Sequence, residues 1–167
     1  MAFARQVYAA AVEAKTEIDP AFVTAQAMLE TGWGSKVIGQ ANLFGITKGS
    51  QWNGPVVMVK THEYFKTPNQ KFKAPDRILS VCKVKGKDLW YYTVERAFKD
   101  FETIGDCLKE HERLFQKPGY KDAWPYRNDP FEFARRICDG VGCKYATDPT
   151  YLATITSLIK TVQSKCG

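Results

Sequence analysis

The chain has 167 residues, 44% of them hydrophobic and 25% charged, with a formal net charge of +6 and a pI near 9.0. That balance describes an ordinary globular domain with a sizeable core and excludes fibrous, low-complexity and disordered classes. No run approaches the roughly 18 apolar residues of a membrane span, and Met1-Ala-Phe-Ala-Arg-Gln6 has no apolar leader core.

Residues 3–16 predict an Ala-rich helix with Phe3, Val7, Ala10, Ala11 and Ala14 on its apolar side. Asp-Pro then occurs three times, at Asp19-Pro20, Asp129-Pro130 and Asp148-Pro149. Asp is a good N-cap and Pro suits the first helical position, so each pair predicts a helix start. The first of these helices carries Phe22, Val23, Ala25, Met28 and Leu29, plus one acid, Glu30, above Gln26, Ala27 and Val23. Gly32 and Gly34 end it, with Trp33 between them. Ala41 to Ile46 reads as a compact apolar turn, followed by a Gly/Ser/Asn-rich loop from Lys48 to Gly54.

From Pro55 the period changes. Val56 to Tyr64 is β-branched and reads as a strand; Ile78–Lys85 and Leu89–Arg96 read as two more, with Gly86 at the turn. Helices resume at Thr103 with a capping-box start and at Asp129, and a terminal helix carries Tyr151, Leu152, Ile155, Leu158, Ile159 and Val162. The expected architecture is α+β: one domain over residues 1–167, a mainly helical body with a small antiparallel β-lobe at about 55–98. A cleft between body and lobe is the natural place for a ligand.

The positive charge suits an anionic partner: nucleic acid, anionic lipid or an acidic cell-wall polymer. The basic residues are scattered, the densest run being Lys83 to Lys87 at a predicted turn. No basic stripe interleaves with aromatics, so a nucleic-acid surface is not expected. Of the five cysteines, Cys138 and Cys143 could close a small loop as a disulfide, or the thiols serve as small buried groups. His62 and His111 lack zinc-ligand spacing to the cysteines, and there is no GxSxG. No metal or cofactor is expected, and neither a serine nor a thiol hydrolase is supported.

Two carboxylates can hydrolyse a glycosidic bond, one protonating the leaving oxygen and the other activating water or stabilising positive charge. Glu30, at a helix end beside a large aromatic, is placed for a raised pKa. Glu63, on the first strand, is the second candidate; it shares a face with Thr61 and Phe65, opposite His62 and Tyr64. Sugar rings stack their CH faces on aromatics, for which Trp33, Trp52, Trp90, Trp124 and Tyr145 are candidates; Trp52, in a polar loop, is the least easily explained by packing.

Five segments, in order, resemble the glucosaminidase family of peptidoglycan hydrolases, glycoside hydrolase family 73. Glu30-Thr-Gly-Trp-Gly34 is similar to its Glu-Ser-Gly-Trp-Gly motif, and Asn42-Leu-Phe-Gly-Ile46 matches its Asn-Leu-Phe-Gly-Ile block. Thr61-His-Glu-Tyr64 resembles its Thr-x-Glu-Tyr strand. Ala97-Phe-Lys-Asp-Phe101 resembles its Ala-Phe-Arg-x-Tyr block, and Tyr145 to Tyr151 its Tyr-Ala-Thr-Asp-Pro-x-Tyr. The resemblance implies a lysozyme-like α+β fold that cleaves after N-acetylglucosamine in peptidoglycan glycan strands. It places the general acid at Glu30, a lobe-borne carboxylate at Glu63 and a cleft residue at Tyr145, with Trp33, Asn42 and Phe44 shaping the site. Thr31 for Ser, Ala41 for a second Asn, the residues before Tyr145 and a longer lobe at Lys66 to Pro75 depart from the pattern.

The alternatives are a muramidase or lytic transglycosylase on the same fold, and a non-catalytic wall-binding module. The expected partner is the glycan strand, with no nucleic acid and no membrane insertion, and the chain is expected to act as a monomer at the bacterial wall. Without a leader, delivery is expected through phage-type release, a secretion machine or a longer parent protein.

Overall fold

Nine of the twelve residues of helix α2 (Pro20–Thr31) are buried, so it is enclosed almost all round instead of along one stripe. The structure, a computed structural model, describes residues 1–139, 145–146 and 148–167. They form α1 (Ala2–Glu13), α2, strands β1 (Val56–Phe65), β2 (Arg77–Lys83) and β3 (Trp90–Lys99), then α3 (Ile104–Phe115), α4 (Pro130–Asp139) and α5 (Tyr151–Lys165). Two short 3-10 turns, Pro118–Tyr120 and Trp124–Tyr126, link α3 to α4. The chain divides into two compact units: a helical unit of residues 1–44 and 101–167, and a β-lobe of residues 45–100.

In the helical unit α2 packs on α1, α4 and α5. Phe22 from α2 meets Phe115 and Phe133 edge-on, with ring centroids 6.2 and 4.9 Å away, and Phe115 and Phe133 are themselves 5.2 Å apart. Edge-to-face geometry is what the ring quadrupoles favour. Two of the three Asp-Pro helix starts are as the sequence predicts. Asp19 Oδ1 accepts from the Ala21 and Phe22 amides at 2.8 and 3.4 Å; Asp129 Oδ1 accepts from Phe131 and Glu132, both at 3.1 Å. The third does not start a helix. Asp148 Oδ1 takes both the amide and the hydroxyl of Thr150 at 2.8 Å, closing a turn, and α5 begins at Tyr151. The first helix also stops early, at Glu13, with Lys15 at φ 52°.

Thr103 caps α3 as expected, its hydroxyl accepting from the Asp106 amide at 3.1 Å and donating to the Asp106 carboxylate at 2.6 Å. The buried stripe of α3 is Cys107, Leu108, His111, Glu112 and Phe115. Glu112 accepts from the Glu17 and Ile18 amides and so ties α3 to the α1–α2 connection. Cys107 takes a hydrogen bond from the Leu43 amide at 3.4 Å, and burial raises its thiol pKa to about 12.

The lobe is a three-stranded antiparallel sheet in the order β1-β3-β2. β1 alternates exposed and half-buried residues along its length, the period-2 pattern read from the sequence. Phe65 and Phe72 pack on Tyr92, whose hydroxyl donates to the Thr67 carbonyl at 2.9 Å and accepts from the Gln70 amide at 3.2 Å. This fastens the long 66–75 segment to the central strand. The Cys138–Cys143 pairing lies outside the described residues; Cys82 is exposed on β2. No helix among the described residues is long and apolar enough to cross a membrane.

Candidate active site

Glu30 ends α2 where the backbone turns left-handed for three residues in succession: Gly32 at φ 56°, Trp33 at 62° and Gly34 at 88°. Trp33 is the costly member, since a bulky residue in this region stores on the order of 1–3 kcal/mol of strain. The turn is over-determined by its neighbours. The Trp33 amide donates to the Met28 carbonyl at 2.8 Å; buried Thr31 donates its hydroxyl to the Ala27 carbonyl at 2.6 Å and accepts from the Gly34 amide at 2.8 Å. A Cβ on Gly34 would stand 2.5 Å from the Phe3 ring, so only glycine fits there. The result is a Trp33 ring left 47% exposed just past the acid.

Tyr145 comes to Glu30 from 115 residues away, its hydroxyl donating to Glu30 Oε1 at 3.2 Å. Its amide donates to the Ile137 carbonyl at 3.0 Å, and its ring lies against Phe115 and Tyr151 at 5.5 and 5.6 Å. Glu30 is exposed over its side chain as a whole, yet its carboxyl pKa is raised, chiefly because protein atoms displace water on the inner side; the Tyr145 hydrogen bond works the other way. The acid is therefore open to solvent on one side and dry on the other. Burial, and then the nearby Glu30 charge, raise the Tyr145 hydroxyl pKa as well, which keeps it a proton donor to Glu30.

A second layer was missed in the sequence. Gln26, fully buried one turn before Glu30, donates from Nε2 to the Tyr151 hydroxyl at 3.1 Å, and its Oε1 has no partner among the described residues. The signal available was a single polar residue in an apolar helical run; its partner lies 125 residues away.

Asn42 and Phe44 are in the same unit. Asn42 is 1% exposed and exchanges backbone hydrogen bonds with Ile38 at 3.0 and 3.1 Å. Phe44 stacks on His111 with centroids 3.7 Å apart. Both shape the packing beneath the surface. Trp124 is half-buried in a 3-10 turn, under the Arg127 guanidinium at 5.0 Å. Among the described residues, no group of three His, Cys, Asp or Glu could hold a metal ion.

In the lobe, Glu63 opposes Tyr92 in the β1–β3 register and takes a hydrogen-bonded ion pair from Arg96 Nη1 at 3.0 Å. Arg96 Nε reaches Asp76 at 3.3 Å, and Asp76 accepts from the Ala97 amide at 2.8 Å. Glu63 is thus a fixed carboxylate, held by a guanidinium that is itself held. Trp52 is accounted for within its loop: Nε1 donates to the Pro55 carbonyl at 2.9 Å, its ring covers Gly54, and Lys99 Nζ sits 4.7 Å from the ring centre.

The glucosaminidase model, described as mannosyl-glycoprotein endo-beta-N-acetylglucosaminidase, matches residues 6–164. The chain belongs to the glucosaminidase family. The family match takes in both units, and every candidate residue named above falls inside it. The chain is 29% identical over 153 residues to the peptidoglycan hydrolase FlgJ of Vibrio parahaemolyticus, covering 88% of this chain and 42% of that protein. It is 32% identical over 143 residues to a Lactococcus lactis protein named "Probable N-acetylmuramidase", covering 84% of this chain and 28% of that one. It thus spans less than half of each. The crystal structure of a peptidoglycan hydrolase mutant from Sphingomonas sp. A1 matches with a TM-score of 0.64 at 26% identity, over 98% of this chain and 96% of that one. The fold is the lysozyme-like α+β class expected for this family.

Proposed function

We propose that this glucosaminidase-family chain is a peptidoglycan hydrolase, an endo-β-N-acetylglucosaminidase acting on glycan strands of the bacterial wall as a monomer. The observation that carries the reading is the Glu30 carboxyl, half desolvated and joined to Tyr145 at 3.2 Å. An acid that keeps its proton to higher pH than an ordinary Glu is the better donor to a glycosidic oxygen. Glu30 protonates the leaving oxygen, the C1–O bond breaks, and the developing positive charge at C1 is met by a nucleophile. Glu63 supplies the second carboxylate, either as base for the attacking water or as support for attack by the substrate's own acetamido oxygen. Tyr145 steadies Glu30 and the reacting sugar, and Trp33 offers a stacking face.

The names of the relatives favour wall hydrolysis and differ on the bond: the Lactococcus name points to the muramidase reading. Mass spectrometry of fragments released from purified peptidoglycan decides between them. Reducing-end N-acetylglucosamine is the expected product. Reducing-end muramic acid, or a 1,6-anhydro product, would replace the reading with a muramidase or a lytic transglycosylase.

A further inference from the structure

The charge of the chain is not spread as its sequence suggests. Residues 45–100 hold 11 of the 24 basic side chains and 5 of the 18 acidic ones, a net of +6; the helical unit holds 13 of each and is neutral. Both units pair some of their cations, but only the lobe carries an excess that its own acids cannot match in number. In the helical unit, Lys109, Arg113, Arg127, Arg135 and Arg136 each meet a carboxylate. In the lobe, Glu63 and Asp76 bond Arg96, and Glu95 bonds Arg77. That leaves Lys48, Lys60, Lys66, Lys71, Lys73, Lys83, Lys85 and Lys87 with no ion pair among the described residues. A field of uncompensated charge on so small a unit repels itself, and folding alone gives no reason for it.

Two hollows concentrate the charge. One, of about 490 Å³, is lined by Lys48, Lys73 and Arg96 with Thr47, Ser50 and a single acid, Asp76. The other, of about 480 Å³, is the β2–β3 turn with Lys83, Lys85 and Lys87 against one acid, Asp88. Further exposed lysines are Lys60 on β1 and Lys66 and Lys71 in the 66–73 segment. Charges distributed over several places suit a polymer with repeated anionic groups better than one small anion.

Resting on the proposed action on peptidoglycan, we infer that the β-lobe is an electrostatic grip for the carboxylates of the wall's peptide stems, separate from the bond-cleaving chemistry. Lysine, a compact and freely rotating cation, suits mobile carboxylates on a swaying peptide. The grip is long-ranged and salt-sensitive because its charges are exposed.

The test is sedimentation of the protein with insoluble purified walls, using Glu30→Gln protein so that the walls stay intact. Lys66, Lys71, Lys73, Lys83, Lys85 and Lys87 are changed together to Gln, bringing the lobe to neutrality, or together to Arg. The Gln set is expected to weaken binding roughly tenfold or more at low salt, and the Arg set to keep it. Independently of any lobe variant, amidating the wall carboxylates is expected to produce the same loss, and stripping phosphodiester polymers from the walls to leave binding intact. The inference falls if the Gln set binds like the parent, if stripping the phosphodiesters abolishes binding, or if phosphatidylglycerol vesicles bind the lobe as well as walls do. Release of fragments by protein with Glu30 intact is scored separately: lysine-dependent binding without release would sink the hydrolase reading and leave the grip standing.

Discussion

The helical unit and the β-lobe solve opposite electrostatic problems. The helical unit is neutral as a whole, and Glu30 has no cation among its described partners. Its only described partner is a neutral hydroxyl, that of Tyr145. A nearby cation would pull the acid's pKa down and spoil it as a proton donor. The lobe does the reverse: Glu63 and Asp76 are gripped by Arg96 and Glu95 by Arg77, while most of its lysines are left facing water. A raised pKa needs an environment without compensating cations, and a long-range grip needs cations without compensating acids. One unit cannot easily supply both.

The sharpest way to break this comparison is Glu30→Gln. Turnover of walls is expected to fall by about 10³-fold, the scale of a lost general acid. Stability should move the other way. Glu30 binds its proton more tightly folded than unfolded, so wild-type stability falls as pH rises from its ordinary value of 4.5 through the raised folded value. Thermal melts should therefore show the variant at least as stable as wild type at pH 7, with the advantage fading below pH 4.5. Glu63→Gln is expected to cost about 10²-fold in kcat, less than Glu30→Gln. Tyr145→Phe should cost roughly tenfold, about one hydrogen bond. It removes the contact that lowers the Glu30 pKa, so the alkaline limb of the kcat/KM profile should move to higher pH. A limb that stays in place would mean that another group is the acid.

The smallest effect probes the core of the helical unit itself. His111 is buried between Phe44 and Phe115 with no partner for either ring nitrogen among the described residues, and burial lowers its pKa to about 3. The unfolded chain takes up the proton near 6.5, so wild-type stability drains away as pH falls from 6.5 toward 3. His111→Phe should change stability by about 1 kcal/mol or less at pH 7 and flatten that decline, read from melting temperature against pH.

What was legible in the sequence follows the range of each interaction. The Asp19 and Asp129 caps and the alternation of β1 are settled within a few residues, and they were read correctly. Asp148-Pro149 carries the same local pattern and fails, because the Thr150 hydroxyl competes for the carboxylate that would have capped the helix. The pairing of β1 with β3, the Gln26–Tyr151 contact and the Arg96 clamp on Glu63 join positions 25 to 125 residues apart, which periodicity does not report. Glu30 stood out because an acid beside Gly-Trp-Gly is locally odd; Tyr145 was one of several candidate stacking aromatics, and the family motif singled it out as a cleft residue. The charge partition needed no side-chain geometry, only the unit boundaries at residues 45 and 100.

The division of labour is tested most directly by one measurement: bound protein and released fragments, quantified together on the same purified walls, for Glu30→Gln protein and for the six-lysine Gln set with Glu30 intact. The account predicts that Glu30→Gln binds walls and releases almost nothing, while the lysine variant binds poorly yet still cuts what it meets. Near-normal release by Glu30→Gln would contradict it.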